Sequence, residues 1–301
     1  MQKAQSTIPV YNIQSVEQVN GFKEDLVVDH FEPYQQRHPH LHTPHRHLFY
    51  HILLFTKGSG THTIDFEQFD VQKGQIYFMI PGQVHNWNFK GPVSGYVVNF
   101  SDHLFRSFLA DQMYLQKFSF LRGVAKDSVV KLKPAAFDIA KDIFETLIKE
   151  VYSNEPYNRD MIYTKLLSLF ILTGRCCAQS NSKQIPTQNQ LLLYNFRKLV
   201  DEYYAEKRLP KDYAAMLYIT PNHLNALCHD LLGISAGELI RDRVLLEAKR
   251  LLVNATLSIS EIAYQLNFTD NSYFTKFFKK YTGITPEEFR KLSFKDAENN
   301  E

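Results

Sequence analysis

Cysteine is scarce in this sequence: Cys176, Cys177 and Cys228 are the only three in 301 residues. Two of them are adjacent, so no disulfide framework is available and a reducing, cytoplasmic setting is expected. Tryptophan occurs once, as Trp87, and glycine and proline twelve times each, too few for a collagen-like or low-complexity chain. Long apolar runs are missing too. The best, Leu166–Leu172, is well short of the roughly 18 residues of a membrane span and is broken by Ser168, so no membrane partner is expected. Met1–Val10 has no apolar core behind Lys3, and no secretory signal is expected. Charge of one sign is also lacking. A net charge of +2 supplies no bulk attraction to nucleic acid. Residues 190–295 hold fifteen Lys and Arg against twelve Asp and Glu, and the acidic tail Asp296–Glu301 cancels that excess. A nucleic-acid reading has to come from pattern.

What is present is an ordinary globular composition, 44% hydrophobic and 22% charged, on a length that suits two domains. The first hundred residues read as β structure. His47–Phe55, Thr61–Phe66, Phe69–Val71, Gln75–Ile80 and Gly95–Phe100 are short runs rich in Val, Ile, Tyr and Phe. Turn signals part them: Lys57-Gly58-Ser59-Gly60, Lys73-Gly74, Pro81-Gly82 and Lys90-Gly91-Pro92. Such spacing argues for a small sandwich or barrel. The period then changes. Phe137, Ala140, Phe144, Leu147 and Val151 form a helical stripe entered through Pro134. A second helix, about Asn158–Cys177, is apolar on most of its circumference and needs cover from its own domain or from a second copy of the chain. Residues 179–189 are polar and aperiodic, as a linker should be. The domains expected are therefore 1–178, a linker, and 190–301.

Everything after the linker is helical in pattern: Gln190–Lys207, Lys211–Tyr218, Pro221–Leu232, Ala236–Asn254, Ile259–Leu266, Asp270–Tyr281 and Pro286–Leu292. Thr220, Ser235, Ser258, Asp270 and Thr285 stand where N-caps belong. These short helices and tight turns leave little room for a catalytic cleft. Inside the region lies a repeat. Thr220-Pro221-Asn222-His223-Leu224 leads to Gly233-Ile234-Ser235, and Asp270-Asn271-Ser272-Tyr273-Phe274 leads to Gly283-Ile284-Thr285, with thirteen positions from cap to glycine in each. The preceding helices also correspond, Tyr213-Ala214-Ala215 against Ile262-Ala263-Tyr264. Two copies of a short helix, a tight turn and a longer helix make a pair of helix-turn-helix units, about 210–232 and 259–281. In the second turn Asn267 can take the positive φ that a reversal needs, and Phe268 can plug the angle between the helices.

The stretch Ile259-Ser260-Glu261-Ile262-Ala263, then Asn267 to Lys280, then Gly283-Ile284-Thr285-Pro286-Glu287-Glu288-Phe289-Arg290 resembles the AraC/XylS signature. The resemblance covers about Gln190–Leu292, including Arg243, Ala248 and Leu251-Leu252 on the connecting helix. It implies a sequence-specific regulator of transcription, with double-stranded promoter DNA as partner and RNA polymerase as a further one. Asn267 departs from the usual turn glycine. Ala226, Cys228 and His229 stand where Arg, Phe and Lys are common, which weakens the contacts of the first unit. A nineteen-residue connecting helix spans roughly 29 Å and suits recognition helices about one DNA turn apart. The DNA-facing candidates are Thr220, Asn222, His223, Asn225 and His229 in the first unit. In the second they are Asp270, Asn271, Ser272, Thr275, Lys276 and Lys279. Phe274, Phe277 and Phe278 are expected to face the core.

Six of the twelve histidines fall between His38 and His51. His45, His47 and His51 share one face if that segment is a continuous strand. With Gly74, Pro81-Gly82 and His85 they resemble the cupin barrel, a sensor fold common in this regulator family. The fold expected is thus α+β and multidomain: an N-terminal cupin-like barrel with dimerisation helices, then an all-α domain of two helix-turn-helix units on a long helix. No Asp or Glu occurs between His47 and Asp65, so the carboxylate of a cupin metal site is missing. A histidine-only site for zinc, iron or nickel stays open chemically, but a metal-free pocket without a cofactor is the reading favoured here. Its candidate ligand-binding residues are His45, His47, Phe49, His85, Trp87 and Tyr96, with Tyr50 and Tyr77 as further candidates, suited to stacking on a sugar or another small-molecule effector; each aromatic is equally suited to plain core packing. A homodimer is expected through the Phe137–Val151 helix. The competing class is a metal-dependent cupin enzyme, an oxygenase or isomerase, with a helical appendage. The tandem repeat and the missing carboxylate favour the non-enzymatic regulator.

Overall fold

In a computed structural model of the chain, residues 8–16, 25–101, 103–105, 108–109, 114–177, 187–253 and 257–298 are described. The chain divides into two compact units, Pro9–Ser182 and one built on Lys183–Glu301. Of the expected linker, residues 179–186 lie outside the described set, and a helix already begins at Thr187.

Among its described residues the first unit has ten strands: β1 (Val10–Tyr11), β2 (Leu26–His30), β3 (His45–His47), β4 (Tyr50–Lys57), β5 (Gly60–Ile64), β6 (Glu67–Asp70), β7 (Gln75–Met79), β8 (Val84–Phe89), β9 (Ser94–Phe100) and β10 (Val129–Lys131). Three helices join them, α1 (Phe31–Arg37), α2 (Pro134–Tyr152) and α3 (Asn158–Cys177). The strands form two five-stranded sheets, ordered β1-β3-β8-β5-β6 and β10-β7-β4-β9-β2. Neither sheet closes on itself, which corrects the expected barrel: the unit is an open sandwich. Short alternating strands suit either architecture. Here β2 and β10, which carry no strong turn signal in the sequence, pair with β9 and β7. They widen the second sheet instead of closing it.

Alternation along the second sheet sends its two faces to different cores. Val27, Leu53, Phe55, Tyr77, Met79 and Val97 pack between the sheets with Ile64 and Trp87 of the first. Leu26, Val28, Ile52, Leu54, Ile76, Phe78, Tyr96, Val98 and Phe100 face the other way, onto α2 and α3. The stripe Phe137, Ala140, Phe144, Leu147 and Val151 is buried there, with Ile162, Leu166, Leu169 and Phe170 of α3. That is a second correction. The apolar stripe offered as the reason for a dimer is covered by the chain's own sheet.

Among its described residues the second unit has seven helices: α4 (Thr187–Tyr203), α5 (Pro210–Met216), α6 (Pro221–Leu232), α7 (Ala236–Leu252), α8 (Ile259–Gln265), α9 (Asn271–Thr282) and α10 (Pro286–Glu298). Its caps are those the sequence marks. Ser235 and Ser258 close capping boxes with Glu238 and Glu261. Thr285 accepts from the Glu288 amide while the Glu288 carboxylate accepts from that of Thr285. The helices α6 and α9 both stop on a left-handed glycine, Gly233 at φ 72° and Gly283 at φ 85°, a conformation glycine reaches without Cβ strain. Two cores result. Phe196, Tyr213, Leu224 and Leu227 pack with Ala236 and Ile240 at the start of α7, and Ile262, Phe268, Phe274 and Phe278 pack with Val244, Ala248 and Leu252 further along it. Thus α7 is the rod on which both units are mounted. At 17 residues it spans roughly 25 Å, somewhat less than the sequence suggests. It ends where the Arg290 Nε donates to the Leu252 carbonyl at 3.0 Å.

Candidate functional site

The helix-turn-helix units repeat in their atoms as well as in their letters. Asn267 sits at φ 56°, as its turn requires, and Tyr218 occupies the matching place in the first unit at the same φ of 56°. Behind them the Ile219 amide donates to the Ala214 carbonyl at 3.0 Å and the Phe268 amide to that of Ala263 at 2.9 Å. Both turns are therefore the same left-handed helix stop followed by an apolar plug. Phe268 is buried against Phe274 and Phe277. Arg208, which the sequence gave no reason to single out, stacks on the Phe268 ring at 4.0 Å and donates to the Leu266 carbonyl. It ties the α4–α5 connection to the turn of the second unit.

The outward faces of α6 and α9 differ in kind. Thr220 and Asp270 are N-caps, accepting from the His223 amide at 3.2 Å and the Tyr273 amide at 2.7 Å. Asn222, His223 and His229 are exposed on α6. Asn225 is not free to read a base through its oxygen, because that atom accepts from the Ala236 amide at 3.0 Å and fastens α6 to α7. Cys228 is fully buried, so it fills an apolar slot and its departure from the family pattern removes no surface contact. On α9, Asn271, Ser272, Lys276 and Lys279 are exposed and Thr275 is half-buried. Phe274 and Phe278 are buried while Phe277 is only partly so. Tyr273, missed in the sequence, stands out from the same face and lines a depression with Thr269, Asp270, Ser272 and Lys276. Its three-residue spacing to Lys276 was the available signal.

In the first unit the histidines converge, by a route the sequence hides. The segment His45–His51 is not one strand. It breaks at Leu48-Phe49, leaving His45 and His47 on β3 in the first sheet and His51 on β4 in the second. The three meet because the sheets face each other. His45 lies directly across from His85, while Ile64 pairs with His85 on its other side and His62 with Trp87. All five imidazoles, of His45, His47, His51, His62 and His85, are buried. His45, His47 and His85 each offer a ring nitrogen within 4.8 Å of the others. Phe49 stacks on His47 with centroids 4.4 Å apart, and Trp87 lies 5.6 Å from His85. Tyr96 does not join them. It faces α2, where its hydroxyl donates to Glu145 at 2.7 Å. Tyr50 likewise packs on the outer core, stacked on Phe100. His62 and Tyr77 are the residues that complete the group, their rings 4.9 Å apart.

Two of the five tautomers are fixed. Nδ1–H of His45 donates to the Thr43 carbonyl at 2.7 Å, and that of His51 to Asn99 Oδ1 at 2.5 Å. Each therefore turns a bare Nε2 lone pair inward. His62 Nε2 lies 3.2 Å from His85 Nδ1, and His85 Nε2 lies 3.4 Å from His47 Nδ1. Whichever way the protons run along this chain, one end of it carries an N–H without an acceptor. The free ends, His62 Nδ1 and His47 Nε2, have no partner among the described residues, nor have His45 Nε2, His51 Nε2 and Trp87 Nε1. A buried unpaired donor costs on the order of 1–3 kcal/mol. Burial drives the histidines toward the neutral form, with neighbouring imidazoles adding to it. His45 falls to about 4 despite the Thr43 bond, His51 to about 3, and His47, His62 and His85 drop well below their ordinary value.

A pair of helix-turn-helix units and a sandwich with a polar heart define a class: a DNA-binding regulator built of two units. Residues 30–170 match the AraC-like ligand binding domain and residues 213–292 a helix-turn-helix domain. The chain is 25% identical over 256 residues to the uncharacterized HTH-type transcriptional regulator YisR of Bacillus subtilis (strain 168), covering 80% of this chain and 85% of the relative. It is 24% identical to the Msm operon regulatory protein of Streptococcus mutans, covering 94% and 98%. It is 22% identical to the arabinose operon regulatory protein of Salmonella typhimurium, covering 80% and 83%. The chain belongs to the AraC/XylS family of helix-turn-helix transcriptional regulators. The relatives named here are regulators of transcription by name. Among the described residues no helix is long and apolar enough to cross a membrane.

Proposed function

We propose that one chain reads two adjacent DNA boxes, with α6 and α9 entering successive major grooves from the common rod α7, and that a small molecule held between the sheets of the first unit controls this binding. The observation that carries the DNA reading is the pair of like-built units, each with its own core on α7. Asn222, His223 and His229 on α6, and Asn271, Ser272, Thr275, Lys276 and Lys279 on α9, then supply the base and phosphate contacts. Thr220, Asn225 and Asp270 set the helices that carry them. Support for the effector comes from the buried histidine and aromatic group around His45, His47, Phe49, His85 and Trp87, in which His45 Nε2, His47 Nε2 and Trp87 Nε1 have no partner among the described residues. The name of the Salmonella relative, an arabinose operon regulator, makes sugars the first class to screen.

The chain acts as a homodimer in this reading. The surface that supports it is the outward stripe of α3, Met161, Thr164, Ser168 and Ile171, all exposed at helical spacing. Selection of binding sites from random duplex DNA, followed by fluorescence anisotropy, tests the DNA reading. Two conserved boxes about one helical turn apart are expected. Enrichment of a single box, or of none, would overturn it. Light scattering at high concentration should give twice 35.1 kDa.

A further inference from the structure

We propose that His45, His47 and His85 form a binding site for a divalent transition-metal cation of the zinc class. Three observations support it. Their ring nitrogens already lie within 4.8 Å of one another, and all three residues are buried. The 3.4 Å between His85 Nε2 and His47 Nδ1 is the edge of a tetrahedron whose metal–nitrogen bonds are about 2.0–2.1 Å. The nitrogens are also prepared as ligands. His45 is held by the Thr43 carbonyl with its Nε2 lone pair inward, the outer-shell arrangement that orients metal-bound imidazoles. His62 Nε2 is placed to accept from Nδ1–H of His85 when the other nitrogen of that ring is engaged.

The metal-free group cannot satisfy itself, and a cation uses the lone pairs left at its centre. It takes the inward lone pairs of His45 and His85 and one nitrogen of His47, while the other N–H of His47 and Nδ1–H of His62 stay without a partner among the described residues. The donors are neutral imidazoles, and Asp65, a buried acidic residue just after β5, is occupied with Gln83 and the Val84 amide. An all-nitrogen set selects zinc, nickel, copper or iron over magnesium or calcium. With no carboxylate in the set, the cation keeps its full charge. A fourth position remains for water, an oxygen of the effector, or His51, whose ring centroid lies 4.9 Å from that of His47 and whose Nε2 is unpartnered.

This deepens the sensing role proposed above and rests on it only for its biological use; the metal readouts themselves are independent of DNA. The full chain, stripped with chelator and reloaded with Zn2+, is dialysed and its metal measured by mass spectrometry. Co2+ loading is followed by visible absorption. One equivalent of zinc is expected, with tetrahedral cobalt bands and a rise in Tm of about 5–10 °C at a hundredfold excess over Kd. His47→Gln and His85→Gln should each weaken binding by more than the roughly 10–100-fold typical of an outer-shell loss. His40→Ala, at an exposed histidine, should bind as the parent does. Should either glutamine variant fail to fold, the stoichiometry and cobalt spectrum of the parent decide. Substoichiometric zinc with no tetrahedral bands, or equal affinity in the glutamine variants, would overturn the site and leave ordered water as the occupant. If DNA binding survives while metal binding is absent, this inference alone fails. Metal binding without DNA binding overturns the regulator reading and upholds the site.

Discussion

Acidification of the metal-free chain is the sharpest perturbation the histidine group invites. Between about pH 6.5 and the depressed folded-state values, about 4 for His45 and about 3 for His51, the unfolded chain binds protons that the folded unit refuses. Stability is therefore fully present above the ordinary histidine value of 6.5 and is lost as pH falls through it. At pH 5.5 an imidazole held neutral in this way costs roughly 1 kcal/mol. His47, His62 and His85 are lowered in the same direction, so all five act against the folded unit together as pH falls. A whole domain is held by only about 5–15 kcal/mol. The first unit should thus unfold on mild acidification while the helical unit stands. The assay is built in: Trp87 is the one tryptophan of the chain, and its ring lies 5.9 Å from those of His45, His51 and His62. Urea titrations with chelator present, read by Trp87 fluorescence at pH 7.5, 6.0 and 5.5, should show the midpoint collapsing. His62→Leu should remove about a fifth of the loss, since one of five proton sites is gone. An unchanged midpoint between pH 7.5 and 5.5 would refute the buried, neutral cluster.

Lys276→Ala should weaken binding to the selected DNA more than His229→Ala, because α9 carries Lys276, Lys279 and Lys280 where α6 has Ala226, His229 and Asp230. A lost base contact costs about 1–3 kcal/mol and a lost phosphate contact flattens the salt slope by about one unit; anisotropy at several salt concentrations reads both, and equal losses would end this division of labour. Tyr218→Gly should stabilise the helical unit by about 1 kcal/mol, since Tyr218 is 96% exposed and loses no packing while its left-handed strain is relieved; a circular-dichroism urea melt checks it, and a destabilised variant would show that the ring has a role in the fold. Ser258→Ala should cost about 1 kcal/mol by the same melt, through loss of the capping box with Glu261.

The helical half was legible because its information is local. Caps, stop glycines and the turn asparagine act on neighbours within one or two turns. Thr220, Ser235, Ser258, Asp270 and Thr285 therefore mark in sequence the helix starts that hydrogen bonds mark in space. The cap-to-glycine spacing of thirteen positions, found twice, then fixes two units on one rod. What local rules could not show was which polar residues the fold had already used. Asn225 looks like a base reader until its oxygen is found on the Ala236 amide, and Arg208 gains its role only through a turn 58 residues away. The N-terminal half shows the opposite balance. Short β-rich runs and turn signals placed most of the strands, but nothing local says which strand ends pair, so an open sandwich and a closed barrel read alike. The stripe of α2 announced a buried face without saying whose surface buries it; the outer face of the second sheet does. The histidines are the clearest case. Their letters are plain in the sequence, yet His51 reaches His45 and His47 across two sheets and not along one strand, and His62 enters from β5 with no motif to announce it. A cluster of buried imidazoles is a property of sheet pairing and sheet packing, both long-range, and only the tertiary structure supplies those.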